Sequence, residues 1–233
     1  MNPKYYYLFL DIASFTFPFL FSFNARANFS KKWRFVLPAI VATAIPFIAW
    51  DEWFTRQGIW GFNENYLTGV YFLNLPIEEL LFFICIPYAC VFTYFALNYF
   101  LKKDQLAGSQ KIITYALAGI CIVGAAIFYE RAYTCTTFAL LAALLVFLSI
   151  VKASYMSRFY RAFILLLVPF FLVNGILTGS FIPAEVVWYN NAENMGIRIG
   201  TIPVEDIFYA MLMILTSIAL TEWLETKSKK NSP

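Results

Sequence analysis

Seven stretches of roughly 20 residues run almost free of charge through this chain, at about 4–23, 35–54, 76–100, 111–129, 133–151, 159–179 and 203–224. That pattern leaves few folds open. A helix of about 20 residues crosses a hydrocarbon core about 30 Å thick, and inside that core every backbone N–H and C=O must find its partner within the segment. The expected fold is therefore all-α, an integral membrane protein of about seven transmembrane helices. Composition agrees, since 61% of the 233 residues are hydrophobic and only 13% are charged, against about a quarter charged in soluble domains. The first stretch is read as a mature helix and not a cleaved signal. It outruns the usual apolar core, carries Asp11, and leads into a basic loop without a small-residue cleavage site.

Positive residues are retained on the cytoplasmic side of a membrane. The loops after helices 1, 3 and 5 and the final tail hold Arg26, Lys31, Lys32, Arg34, Lys102, Lys103, Lys111, Lys152, Arg158, Arg161, Lys227, Lys229 and Lys230. These are thirteen of the 17 Lys and Arg, leaving Lys4, Arg56, Arg131 and Arg198 for the other face. The N-terminus is expected outside and the C-terminus in the cytoplasm, with the cell (plasma) membrane as the location. Basic residues scattered over loops form no basic domain, so nucleic acid is not an expected partner, whereas membrane lipid is. Cys85, Cys90, Cys121 and Cys135 lack metal-ligand spacing, and the chain has no histidine. No metal site is expected.

The chain repeats itself. TGVYFLNLPIEELLF at 68–82 lies on MGIRIGTIPVEDIFY at 195–209 with an offset of 127, so Pro76 meets Pro203, Glu78 meets Glu205, and Glu79 meets Asp206. Arg34 meets Arg161 at the same offset. A small slip sets Pro46 on Pro169 and Asp51 on Asn174. Helices 1–3 thus recur as helices 5–7, and because four helices separate equivalent positions the two repeats are parallel across the membrane. The expected organisation is a first repeat over 1–103, a connecting helix over 104–130, and a second repeat with a basic tail over 131–233.

Each acidic pair heads a long apolar run. Pro76 and Pro203 suit the first helical position, which puts Glu78 and Glu205 in the first turn, where the helix dipole favours a carboxylate by about 0.3–1 kcal/mol. Helix starting alone would explain one acid. Two adjacent acids repel each other, and an acid at the bilayer centre costs about 2.5–3.5 kcal/mol, so a use for the pairs is the reading taken. Adjacent helical residues point about 100° apart; Glu78 and Glu205, the glutamates common to both copies, are favoured as catalytic over Glu79 and Asp206.

The chain carries no GxGxxG turn, no GxxxxGK loop and no DDxxD run. What remains is carboxyl acid/base chemistry in an aromatic, apolar cavity, where an acid protonates an alkene, aromatic faces stabilise the carbocation, and a carboxylate removes a proton. That describes an isoprenoid cyclisation, for which no cofactor is expected. Candidate substrate-binding residues are Asp51, Trp60 and Asn74 in the first half and Asn174, Trp188, Tyr189 and Arg198 in the second. Asn63 and Asn190 lie in the same loops. Trp and Tyr are also ordinary interface anchors, and Arg198 is placed to pair with a nearby acid.

The motifs WD…T…G.W.F at 50–62, LPIEELLFF at 75–83, NGILTGS at 174–180 and GIRIGTIPVEDIFY at 196–209 resemble the integral-membrane lycopene cyclases. Members of that family occur as paired small subunits in some bacteria, as fused chains, and joined to phytoene synthase in fungi. The resemblance covers essentially the whole chain and implies a fused form that closes the ψ ends of lycopene into β rings through γ-carotene to β-carotene, without net redox. Its acidic motif falls on Glu78, Glu79, Glu205 and Asp206. The family implies carotenoid substrates, lycopene and γ-carotene, and an association with other carotenoid biosynthesis enzymes. It implies no flavin, because the flavin-dependent cyclases carry a fingerprint missing here. Asp51 against Asn174 marks the halves as inequivalent. A proton-coupled transporter, a non-catalytic carotenoid-binding protein, and a membrane cyclase of another isoprenoid stay open on residues alone.

Overall fold

A computed structural model describes residues 2–25 and 28–230; Arg26, counted above in the first basic loop, lies outside them. Seven α-helices follow one another: α1 (Tyr6–Phe21), α2 (Trp33–Gln57), α3 (Ile77–Phe100), α4 (Gln110–Ile127), α5 (Ala132–Ile150), α6 (Met156–Leu177) and α7 (Glu205–Lys230). Each starts within three residues of its expected position. Six of them, α2 to α7, are long and apolar enough to cross a membrane, and the protein is an all-α membrane protein. The helix over the first apolar stretch has 16 residues, short of the roughly 20 that a span needs. It stops at Phe21, where the chain turns and the Ser22 hydroxyl donates back to the Pro18 carbonyl at 2.7 Å. In contrast, α7 runs on past its apolar stretch because Glu225 supports the polar turns, pairing with Lys229 four residues on at 3.0 Å and with Lys32 at 2.5 Å.

Two compact units divide these elements. The first comprises Met1–Arg56, Asn63–Phe100 and Met213–Pro233; the second comprises Gln57–Phe62 and Leu101–Leu212. In the first, α1 packs along α3. Ring contacts fill that seam, with Phe15 on Tyr88 at 4.8 Å between centroids, Tyr7 edge-on to Phe82 at 6.4 Å, and Phe47 of α2 on Phe83 at 6.3 Å. In the second, α4 packs along α5. Gly124 permits the close approach: a Cβ there would stand 2.4 Å from the Phe138 ring. The Thr114 and Tyr160 hydroxyls, 2.6 Å apart, tie α4 to α6, and Arg161 donates to the carbonyls of Leu101 and Lys103 at 3.2 and 2.8 Å.

The repeat reappears as local structure. Strands β2 (Tyr71–Phe72) and β3 (Leu75–Pro76) form an antiparallel hairpin ahead of α3, and β5 (Arg198–Ile199) and β6 (Ile202–Pro203) form one ahead of α7. Their registers, Tyr71↔Pro76 and Arg198↔Pro203, keep the offset of 127. Both are entered through a left-handed glycine, Gly69 at φ +85° and Gly196 at φ +72°, a conformation that costs a residue with a Cβ. The prolines therefore sit ahead of the helices, Pro76 by one residue and Pro203 by two. Pro76 and Pro203 close a hairpin strand instead of opening the helix, and their missing N–H groups are no loss at the end of a two-stranded ribbon. Glu78, Glu79, Glu205 and Asp206 remain in the first turns of α3 and α7. A third ribbon pairs β1 (Trp60–Phe62) with β4 (Val187–Tyr189) inside the second unit, with Trp60 opposite Tyr189.

Candidate active site

All four predicted catalytic acids are buried, which apolar helices alone would forbid. In the first unit, Glu78 accepts the Thr68 N–H at 2.7 Å through Oε1. Its Oε2 is buried without a hydrogen-bond partner among the described residues. Beside it, Glu79 accepts the Tyr7 hydroxyl at 2.5 Å, with the side chain of Asp51 as a further neighbour. Asp11 of α1, 1% exposed, lies one helical turn beyond Tyr7 on the same face.

The second unit repeats the plan with different partners. Glu205 accepts the Met195 N–H and the Thr134 hydroxyl on Oε1, both at 2.6 Å, and its Oε2 again has no partner among the described residues. Asp206 accepts the Tyr133 hydroxyl at 2.5 Å, the Asn174 amide at 2.7 Å and the Tyr189 hydroxyl at 3.0 Å. Three neutral donors on one carboxylate match its acceptor-only ionised form. The hairpins explain why each leading glutamate is held so firmly. They return the chain so that the backbone N–H ten residues upstream of the glutamate points at its carboxyl.

Aromatic rings crowd the second acidic pair. Trp60 meets Tyr133, Tyr189 and Tyr209 edge-on at 5.1, 6.2 and 6.1 Å, and Tyr133 stacks on Tyr189 at 5.8 Å. Trp188, the neighbour of Tyr189 on β4, lies instead across Gly61 of β1, as alternation along a strand requires. Arg198 meets no carboxylate among the described residues. Its guanidinium donates to the Thr201 carbonyl at 2.6 Å and the Asn191 side chain at 3.0 Å, and it stands 5.7 Å from the Tyr189 ring. The hairpin β5–β6 places neutral acceptors within its reach. Asn74 occupies the turn of the β2–β3 hairpin, where its side chain and N–H both donate to Glu52 at 2.5 and 3.0 Å. Asn63 accepts the Asn65 N–H, and Asn190 the Ala192 N–H, both at 3.1 Å in exposed loops.

An apolar groove of about 760 Å³ opens next to the second pair. Gly119, Ile120 and Val123 of α4, Phe138 of α5 and Phe208 of α7 line it, together with Met195, whose own N–H holds Glu205. Gly119 has nothing within 4 Å of where a Cβ would stand.

A family model described as lycopene cyclase matches residues 4–97 and 130–224. The chain belongs to the lycopene cyclase family. Neither a curated protein nor a solved structure matches it. The second matched span of the lycopene cyclase model starts 126 residues after the first. That offset also lays Tyr7 on Tyr133, the tyrosines that hold the equivalent acids, and Asp11 on Thr137. Neither tyrosine stands out in the sequence, because tyrosine is an ordinary residue of apolar helices and no acidic motif accompanies it. Family membership supports a role in carotenoid cyclisation, with a carotenoid substrate.

Proposed function

We propose that the protein is a lycopene β-cyclase that converts lycopene through γ-carotene to β-carotene. The observation that carries this reading is the duplicated glutamate with one oxygen anchored by a backbone N–H and the other buried without a partner among the described residues. An anchored oxygen fixes the carboxyl; a free one can deliver or take a proton. In the cyclisation, a carboxyl O–H breaks as a C–H bond forms on the terminal alkene of a ψ end. The tertiary cation is attacked by the neighbouring alkene, closing the ring, and a carboxylate removes a ring proton as the new double bond forms. Atoms and charge balance without an oxidant or reductant.

Glu78 and Glu205 are the reacting groups in this proposal, with Glu79 and Asp206 holding the polar network beside them. Ring faces of Trp60, Tyr133, Tyr189 and Tyr209 supply cation–π stabilisation. The α4–α5 groove accommodates an isoprenoid chain, which has no polar group to satisfy. In this reading the N-terminus lies outside the cell membrane and the C-terminus in the cytoplasm, near the enzymes that make lycopene.

Expression in cells that accumulate lycopene tests the reading. Conversion to β-carotene supports it, and in heavy water each ring should gain one deuterium from the exchangeable acid. Accumulation of γ-carotene alone would limit the activity to one end. Unchanged lycopene, with the protein present in the membrane, would overturn the reading in favour of another isoprenoid or a proton-coupled transporter.

A further inference from the structure

Asp11 has no ordinary structural explanation. It is the sixth residue of α1, past the first turn in which the helix dipole or a cap would favour an acid. It is 1% exposed and its Oδ2 has no partner among the described residues. On the same face of α1, four residues before it, Tyr7 meets Glu79 of α3 at 2.5 Å, and four residues after it Phe15 meets Tyr88 of α3 at 4.8 Å between ring centroids. Asp11 therefore faces α3 between the level of Glu79 and that of Tyr88. Its neighbours include Tyr7, Glu78, Glu79 and Cys85, a phenol, two acids and a thiol.

The equivalent position in the second unit is Thr137, fully buried, its hydroxyl also without a partner among the described residues. Substitution at Asp11, at Asp51 and at Leu8 distinguishes the halves. Where the second unit has Thr137, Asn174 and Thr134, all neutral, the first has two further carboxyls and an apolar side chain. Asp206 takes three neutral donors, whereas Glu79 takes the Tyr7 hydroxyl and has Asp51 as a further acidic neighbour.

Resting on the cyclase reading above, we propose that Asp11 is a positioning residue that keeps a proton available to the carboxyls of the first unit, making that unit the one that protonates the alkene. The step is a proton hand-over. A first-unit carboxyl loses its O–H proton to the terminal alkene carbon, Asp11 returns a proton to the resulting carboxylate through the carboxyl cluster, and the proton lost from the ring restores the cluster.

Asp11→Asn keeps size and hydrogen-bonding capacity but cannot carry a proton between carboxyls, and Asp11→Glu retains the carboxyl. The measurement is lycopene consumption in membranes containing equal amounts of folded protein, with kcat and KM resolved. Asp11→Asn should lower kcat about tenfold or more with KM unchanged, a smaller loss than the ~10²–10⁴-fold that removing a reacting acid brings. Asp11→Glu should recover part of the loss, and Thr137→Val should leave turnover as in the parent. Parent-like kcat in Asp11→Asn, or an equal loss in Thr137→Val, would overturn the inference. Either result leaves the cyclase reading standing, because the parent protein still converts lycopene; failure of the parent to do so would remove both.

Discussion

Replacing Tyr7 and Tyr133 by phenylalanine, one at a time, tests whether the two acidic sites are chemically alike. Each tyrosine donates a 2.5 Å hydrogen bond to the second acid of its pair, at the short end of the range for O–H to a carboxylate. A hydrogen bond to a charged group contributes about 1.5–3 kcal/mol, which corresponds to about 10- to 150-fold in rate when felt fully in the transition state. The remaining partners decide how much of that is felt. Without Tyr133, Asp206 still accepts from Asn174 and Tyr189 at 2.7 and 3.0 Å, so the carboxylate stays oriented and the loss should be about tenfold or less. Without Tyr7, Glu79 is left with Asp51, another carboxyl, and the loss should approach the upper figure. Initial rates of lycopene consumption, normalised to protein recovered as a monodisperse detergent complex, make the comparison. Equal losses in the two variants, or a greater loss in Tyr133→Phe, would refute the reasoning.

Glu78→Gln and Glu205→Gln keep the anchor to the backbone N–H and remove the carboxyl; each should reduce cyclisation at least ~10²-fold while membrane yield stays at the parent level, as judged by pigment chromatography and immunoblot. Gly119→Phe projects into the open α4–α5 groove without a backbone clash. It should raise KM for lycopene several-fold with thermal stability in detergent retained, and an unchanged KM would remove the groove from the substrate path.

Most of the fold was legible because a membrane segment must be apolar for its whole length, and that signal survives without any alignment. The helix starts of α2 to α7 are set where the apolar runs begin. Where the reading slipped, the cause was local. Pro76 and Pro203 look like first-turn prolines until the hairpins are seen, and those depend on two-residue turns too short to register as periodicity. The turns explain Asn74 and Arg198 as well, since Asn74 ties its hairpin to Glu52 of α2 and Arg198 donates to the Thr201 carbonyl of its own hairpin turn. The acidic pairs stood out because charge in an apolar run is conspicuous. Tyr7 and Tyr133 did not, because tyrosine is an ordinary residue of membrane helices and only its partner, seventy residues away in sequence, gives it meaning.

Duplication leaves two copies of one chemistry, and the cost of burying acids says which copy has kept more of it. Four carboxyls, Asp11, Asp51, Glu78 and Glu79, are buried in the first unit, and among the described residues the only ion pairs are those that Glu225 makes with Lys32 and Lys229. A buried polar group without a full set of partners destabilises by about 1–3 kcal/mol, so neutralising two of the four should stabilise the fold. The second unit supplies the replacements, already accommodated in an equivalent setting: threonine for Asp11 and asparagine for Asp51. The double variant Asp11→Thr, Asp51→Asn should therefore melt at a higher temperature in detergent than the parent while losing most of its cyclisation. Stability and activity moving in opposite directions is the mark of groups retained for use. If the melting temperature falls along with activity, the two acids are part of the framework of the first unit, and its excess of carboxyls is a matter of packing.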